Sequence, residues 1–169
     1  PYAEQTFTWQ PASADPLPVT VWSWPSEAAQ AANAANLTIS MLDAFADRFG
    51  PYPFPGEKYG QAQFQWGGGM EHQTATSLCC WSEFLIAHEL AHQWYGDLIT
   101  CDSFQHIWVN EGFATYSEAL WDEAANGSAA LHSHMRNNKY LGGGTIFVPE
   151  SGLSDMWRIF DGNLSYDKA

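Results

Sequence analysis

The stretch IAHELAHQW, residues 86–94, sets His88, Glu89 and His92 within five positions of an apolar run. Burying imidazoles and a carboxylate costs free energy unless each finds a partner. Histidines four apart stand one turn from each other on the same helix face. Two imidazole nitrogens so placed can bind one metal ion at about 2.0–2.1 Å. Glu89 lies one step round the helix, outside that ligand pair but within reach of a water activated by the ion. This is the H-E-x-x-H pattern of zinc sites, in which the carboxylate serves as general base. The competing reading is a helix whose histidines are satisfied by ordinary hydrogen bonds.

A candidate third ligand favours the metal. Glu111 follows His92 by nineteen residues, in IWVNEGFATYSEALW, near the start of another amphipathic segment. Two histidines from one helix and a carboxylate from a second make the His₂Glu set of a catalytic Zn²⁺, one ion per chain, with a fourth position open. A structural zinc would close its shell, usually with cysteines, and neither motif contains one. Glu118, seven residues beyond Glu111, falls on the same helix face. It is placed to hydrogen-bond the outer nitrogen of a ligand histidine, or else it is a solvated surface glutamate.

Those residues need elements to hold them. TFTWQ and VTVWSW alternate apolar and polar residues and predict short strands around the Pro-rich link PASADPLP. From Ser26 the pattern turns helical, with Leu37, Met41, Phe45 and Phe49 in register and Gly50-Pro51 as the stop. In QAQFQW, residues 61–66, Ala62, Phe64 and Trp66 are expected to face the core and the glutamines solvent, as in an edge strand. Ser82 would cap the helix that carries the histidines, which should run to Gly96. Further helices are expected over about 110–125 and from Ser128 to Tyr140, and the remainder reads as irregular with short helical pieces. Strands first and helices after suggest an α+β fold.

Composition narrows the function. Six Lys and Arg against nineteen Asp and Glu give a net charge of −13, which argues against nucleic acid and anionic lipid as partners. No apolar run approaches the ~20 residues of a membrane span. The chain begins at Pro1 and reads as an excised segment. Cys79, Cys80 and Cys101 form neither a disulfide framework nor a cysteine zinc site, and read best as reduced, partly buried thiols. In an exported protein, Cys79 or Cys80 could instead bridge to Cys101. His106, His132 and His134 are expected to be surface or capping histidines, and Gly142–Gly144 a hinge or turn. The tryptophans are expected in the core, with Trp94 and Trp108 drying the flanks of the zinc motifs.

GGGMEH, HELAHQWYGD and WVNEGFATY, in this order, resemble the catalytic domain of the aminopeptidase N family of gluzincin zinc peptidases. Weaker similarity, FGPYPF upstream and RIFDGNLSYDKA downstream, extends the resemblance over about 49–169. It implies a thermolysin-like zincin subdomain, a small mixed sheet followed by the helices that carry the zinc motifs. It also implies that residues 1–24 lead from an N-terminal β domain, and that 25–169 are a catalytic domain truncated at its C-terminal end. The remaining domains of the parent protein would be its partners.

In that family the glutamate of the G-x-M-E-x loop holds the free α-amino group of the substrate, a role that falls here to Glu71. The backbone of Gly69 and Met70 would lie along the substrate, where glycine permits close approach. The family's loop commonly ends in Asn, and this chain has His72. A Tyr-x-Lys-Gly segment supplies a phenol to the oxyanion, which assigns that part to Tyr166 in LSYDKA, with Ala169 in place of the usual glycine. The resemblance thus implies removal of the first residue from peptides with free N-termini. The alternatives are a zinc endopeptidase or other hydrolase on the same scaffold, and a non-catalytic module that binds zinc and peptide N-termini.

Overall fold

The computed structural model describes residues 1–12 and 14–169; Ser13, in the PASADPLP link, lies outside the described residues. Backbone packing divides the chain into two compact units, Pro1–Trp94 and Tyr95–Ala169. Among the described residues, five strands in one mixed sheet and five α-helices make it an α+β protein.

The first unit is a sheet covered by two helices. Its strands are β1 (Ala3–Trp9), β2 (Leu17–Ser23), β3 (Tyr59–Gln63), β4 (Gly69–Met70) and β5 (Ala75–Leu78), in the order β1-β2-β3-β5-β4. The β2–β3 and β3–β5 pairs are parallel, and the outer pairs are antiparallel. Helix α1 (Ala28–Phe49) packs on β1 and β2 and on α2 (Glu83–Ala91). Its buried stripe, Ala31, Ala34, Ala35, Thr38, Met41, Leu42 and Phe45, follows the helical period. The alanines let the backbone lie close to the sheet, while Met41 and Phe45 fill the deeper space. Gly50 ends the helix at φ 95°, a conformation that strongly favours glycine, and its N–H bonds Ala46 O at 3.1 Å.

The third strand departs from expectation in two respects. It runs over Tyr59–Gln63 and lies inside the sheet between β2 and β5, so it is not an edge strand. Its faces are also reversed, with Gln61 and Gln63 buried and Trp66, beyond its end, 78% exposed. The glutamines point inward because partners wait there. Gln61 Nε2 donates to Thr38 Oγ1 at 2.9 Å, Gln63 Nε2 donates to Glu27 at 2.8 Å, and Gln63 Oε1 accepts the Trp24 N–H at 2.9 Å. Hydrophobic alternation alone cannot distinguish that arrangement from an amphipathic edge.

Helix α2 starts after Ser82, whose side chain makes no cap bond, and it ends at Ala91, five residues before the expected Gly96. Residues 86–91 are all buried, so α2 is enclosed on every side beyond its exposed first turn. Trp94 anchors its end, donating from Nε1 to Gly50 O and Pro51 O while its ring meets Phe45, Phe49 and Tyr52 edge-on.

The second unit holds α3 (Trp108–Asn126), α4 (Ser128–Asn138) and the short α5 (Met156–Ile159). Gly127, at φ 88°, makes the turn from α3 to α4 and takes the capping position, and α4 ends at Asn138, two residues before the expected Tyr140. Ile107, Val148 and Ile159 form a small core, with Cys101, Leu153 and Phe160 against it. Trp121 is buried here but Trp157 is 87% exposed, so the tryptophans do not all belong to cores. Among the described residues, no helix is long and apolar enough to cross a membrane.

Both amide groups of Gln63 are engaged, whereas the buried Oε1 of Gln61 has no partner among the described residues. Gln63→Met is therefore expected to cost about 1–3 kcal/mol. Gln61→Met should cost clearly less, as read from chemical denaturation of the two variants.

Candidate metal centre

In the first unit the two candidate ligand histidines sit where the helical spacing put them. His88 lies on α2 and His92 just past its last residue, with backbone φ −58° and ψ −22° that continue the helical path. Their rings are 4.8 Å apart between centroids and 78° between planes, and both are buried. Glu89, 5% exposed, is buried between them in sequence.

Glu71 joins this group from the sheet. It directly follows β4, and Glu71, Glu89 and His92 each present a ligand atom within 4.8 Å of the others. Two carboxylates that close together repel unless a cation or proton offsets them, more so where water is scarce. The fit to a cation is thus a property of the donors themselves, which are imidazoles and carboxylates, buried or half-buried, on one helix and one strand end. Gly69 is what lets β4 approach: a Cβ built there would lie 2.7 Å from Glu89 Cγ. Any side chain at that position would push Glu89 aside.

Gln93, which the sequence reading passed over, ties the two motifs together. It is fully buried, and its Oε1 accepts the Thr74 N–H at 2.9 Å and the Tyr52 hydroxyl at 3.3 Å. Its Nε2 donates to Glu71 O at 3.4 Å. Thr74 is the one described non-glycine residue at positive φ, 60°. That geometry is disfavoured for a β-branched residue and persists only where surroundings fix it. Here the Gly60 N–H and Lys58 Nζ bond Thr74 O, and Thr74 Oγ1 donates to Glu57 at 2.8 Å. The only hint in the sequence was a glutamine next to a candidate ligand histidine.

The second unit supplies the other predicted residues. Glu111 lies in the first turn of α3 and is buried, with its N–H bonded to Ile107 O at 3.0 Å. Asn110, beside it, accepts the Cys101 N–H at 3.1 Å. Burial, and then the charges of Glu111 and Asp102, push the Cys101 thiol up from its ordinary value. Tyr166 closes a π-helical turn, Gly162–Tyr166, which packs against α3. Asp161 Oδ1 accepts the N–H groups of Asn163 and Leu164, both at 3.0 Å, and Ser165 Oγ donates to Ile159 O at 2.7 Å. Gly112 faces Ala169, and Lys168 Nζ donates to Gly142 O at 2.6 Å. The turn that carries Tyr166 is therefore held by local bonds.

Glu118 faces His134 of α4, with Oε2 3.8 Å from Nε2, and Asp122 flanks the other ring nitrogen at 3.6 Å. His134 is buried between these carboxylates, so it is not the surface or capping histidine expected. The i, i+4 acids were visible, but nothing in the sequence showed that α4 would lie across them. His132, in contrast, is exposed as expected.

Architecture and donor set together define a metallopeptidase-like chain, and comparison with known proteins agrees. The profile of the peptidase family M1 domain matches residues 71–144. Aminopeptidase M1-B of Oryza sativa subsp. japonica is 31% identical over 89% of this chain, and aminopeptidase N of Streptomyces lividans 34% identical over 75%. A bovine glutamyl aminopeptidase is 28% identical over 90%. An M1 zinc metallopeptidase of Deinococcus radiodurans superposes with a TM-score of 0.65 at 27% identity, over 81% of this chain and 32% of its own. The chain belongs to peptidase family M1. It spans about a fifth of the length of the curated relatives it matches, 18–20%.

Two outcomes follow from this geometry. Gly69→Ala should destabilise the first unit by about 1–3 kcal/mol, because the added methyl overpacks Glu89, and thermal unfolding will show it. Asp167 is raised above its ordinary value by burial and then by the charge of Glu118. Its contribution to stability is present below the unfolded value, about 3.9, and is lost as pH rises through the higher folded value. Asp167→Asn should accordingly stabilise the chain at neutral pH and have little effect below that lower value, as measured by denaturation across the range.

Proposed function

We propose that this chain is the catalytic part of a zinc aminopeptidase, which removes the N-terminal residue from peptides. His88, His92 and Glu111 hold one Zn²⁺, which when bound supplies a Lewis acid for water and for the scissile carbonyl. The observation that carries the reading is the group formed by Glu71, Glu89 and His92, within 4.8 Å of one another.

Each side chain takes a part suited to its place. Glu89, enclosed on α2, accepts a proton from the attacking water and returns it to the leaving amine. Glu71, at the half-buried end of β4, receives the substrate ammonium, so a free N-terminus is rewarded and a blocked one leaves a carboxylate unpaired. The backbone of Gly69 and Met70 lies beside the substrate, with Met70 partly exposed. The hydroxyl of Tyr166 donates to the oxyanion. The acidic character of the chain favours approach of a cationic substrate end. Relatives are named as aminopeptidases, and one M1 zinc metallopeptidase of Deinococcus radiodurans was solved with a Tyr-Ser-Ala substrate, which supports a peptide for this chain too.

The parent protein is the material for the test. Glu89→Gln should keep its zinc and lose roughly 10²–10⁴-fold in kcat on a free aminoacyl substrate, and the unaltered enzyme should ignore N-acetylated peptides. Full turnover in the variant would overturn the role of Glu89. Ready cleavage of blocked peptides would replace the exopeptidase with an endopeptidase.

A further inference from the structure

Cys79 and Cys80 lie between the end of β5 and Ser82, which precedes α2. Both are free thiols, Cys80 exposed and Cys79 half-buried, and their Sγ atoms share a hydrogen bond across 3.0 Å. That is about 1 Å longer than an S–S bond. Nothing proposed for the metal centre uses either thiol.

We propose that Cys79 and Cys80 form a reversible modification site, which a low-molecular-weight disulfide closes into a disulfide between neighbours. One cysteine thiolate attacks the small disulfide, giving a mixed disulfide and expelling one small thiol. The second cysteine then attacks the protein sulfur of that mixed disulfide, forming the Cys79–Cys80 bond and expelling the other. The two protein thiols lose two electrons and two protons, and the small disulfide gains both as two thiols.

The location decides what kind of bond this is. Cα atoms of consecutive residues stand about 3.8 Å apart, below the roughly 4.4–6.8 Å of ordinary disulfides. The ring is strained, hence easily reduced, which suits a labile bond and not a permanent staple. The hydrogen bond with Cys79 and then burial push the Cys80 thiol above its ordinary value, so exchange should quicken as pH rises.

Closure also reaches β4. The Cys79 N–H bonds Gly68 O at 2.9 Å, and Leu78 and Ser77 pair with Gly69 and Met70. Distorting the Cys79–Cys80 peptide therefore loosens the strand that sets Gly69 against Glu89. Any consequence for a substrate amine at Glu71 rests on the aminopeptidase reading, but the closure itself does not.

The reduced chain is incubated with oxidised glutathione at mildly alkaline pH, alkylated, and mapped by mass. The peptide holding Cys79 and Cys80 should be unalkylated and lighter by two hydrogens, with recovery in dithiothreitol. Cys80→Ser should stop with one glutathione on Cys79. Amide exchange over residues 66–72 should rise on closure, and not in Cys80→Ser treated alike. Two open thiols, two glutathione adducts, a bridge to Cys101, or closure with unchanged exchange would each overturn the proposal. None of these readouts depends on zinc or turnover.

Discussion

Helix α2 must bury two imidazoles and a carboxylate, and β4 brings a second carboxylate to them. Charges taken out of water are costly, and the cost is met only by partners of opposite sign or good hydrogen bonds. A protein without a function for these groups would do better with apolar side chains. The arrangement suits a cation, and the proposed function assigns it two kinds, a metal at the imidazoles and an ammonium at Glu71. Gly69, Gln93 and the strained Thr74 serve that arrangement, since they hold the end of β4 against α2.

The placement of the histidine pair was more legible in the sequence than the faces of the sheet. The H-E-x-x-H spacing works because a helix repeats locally, so His88 and His92 needed only α2 to form. Helix α1 was legible for the same reason, from a local period closed by Gly50. What failed was long-range. The inward turn of Gln61 and Gln63 depends on Thr38, Glu27 and Trp24, which come from a different element, and no alternation pattern encodes them. The burial of His134 likewise depends on α4 crossing Glu118 and Asp122. The end of α2 at Ala91 also went unseen, because Trp94 and Gln93 halt it by tertiary bonds where no glycine stands.

The motifs that resemble the aminopeptidase N family lie on both compact units, and family M1 membership gives the reason for their joint presence. Glu71, Glu89 and the two histidines come from the first unit, and Glu111 and Tyr166 from the second. Each unit shows local ordering of its share, the buried α2 in one and the π-helical turn against α3 in the other. The curated relatives are about five times as long as this chain.

The central claim is a single divalent ion held by His88, His92 and Glu111 together. It is tested most directly by equilibrium dialysis against Zn²⁺ followed by elemental analysis of the chain and of its His92→Ala and Glu111→Ala variants. One zinc per chain, with affinity falling sharply in both variants, is the predicted result. Zinc that binds as tightly to Glu111→Ala as to the unaltered chain would contradict the account, as would a chain that takes up none.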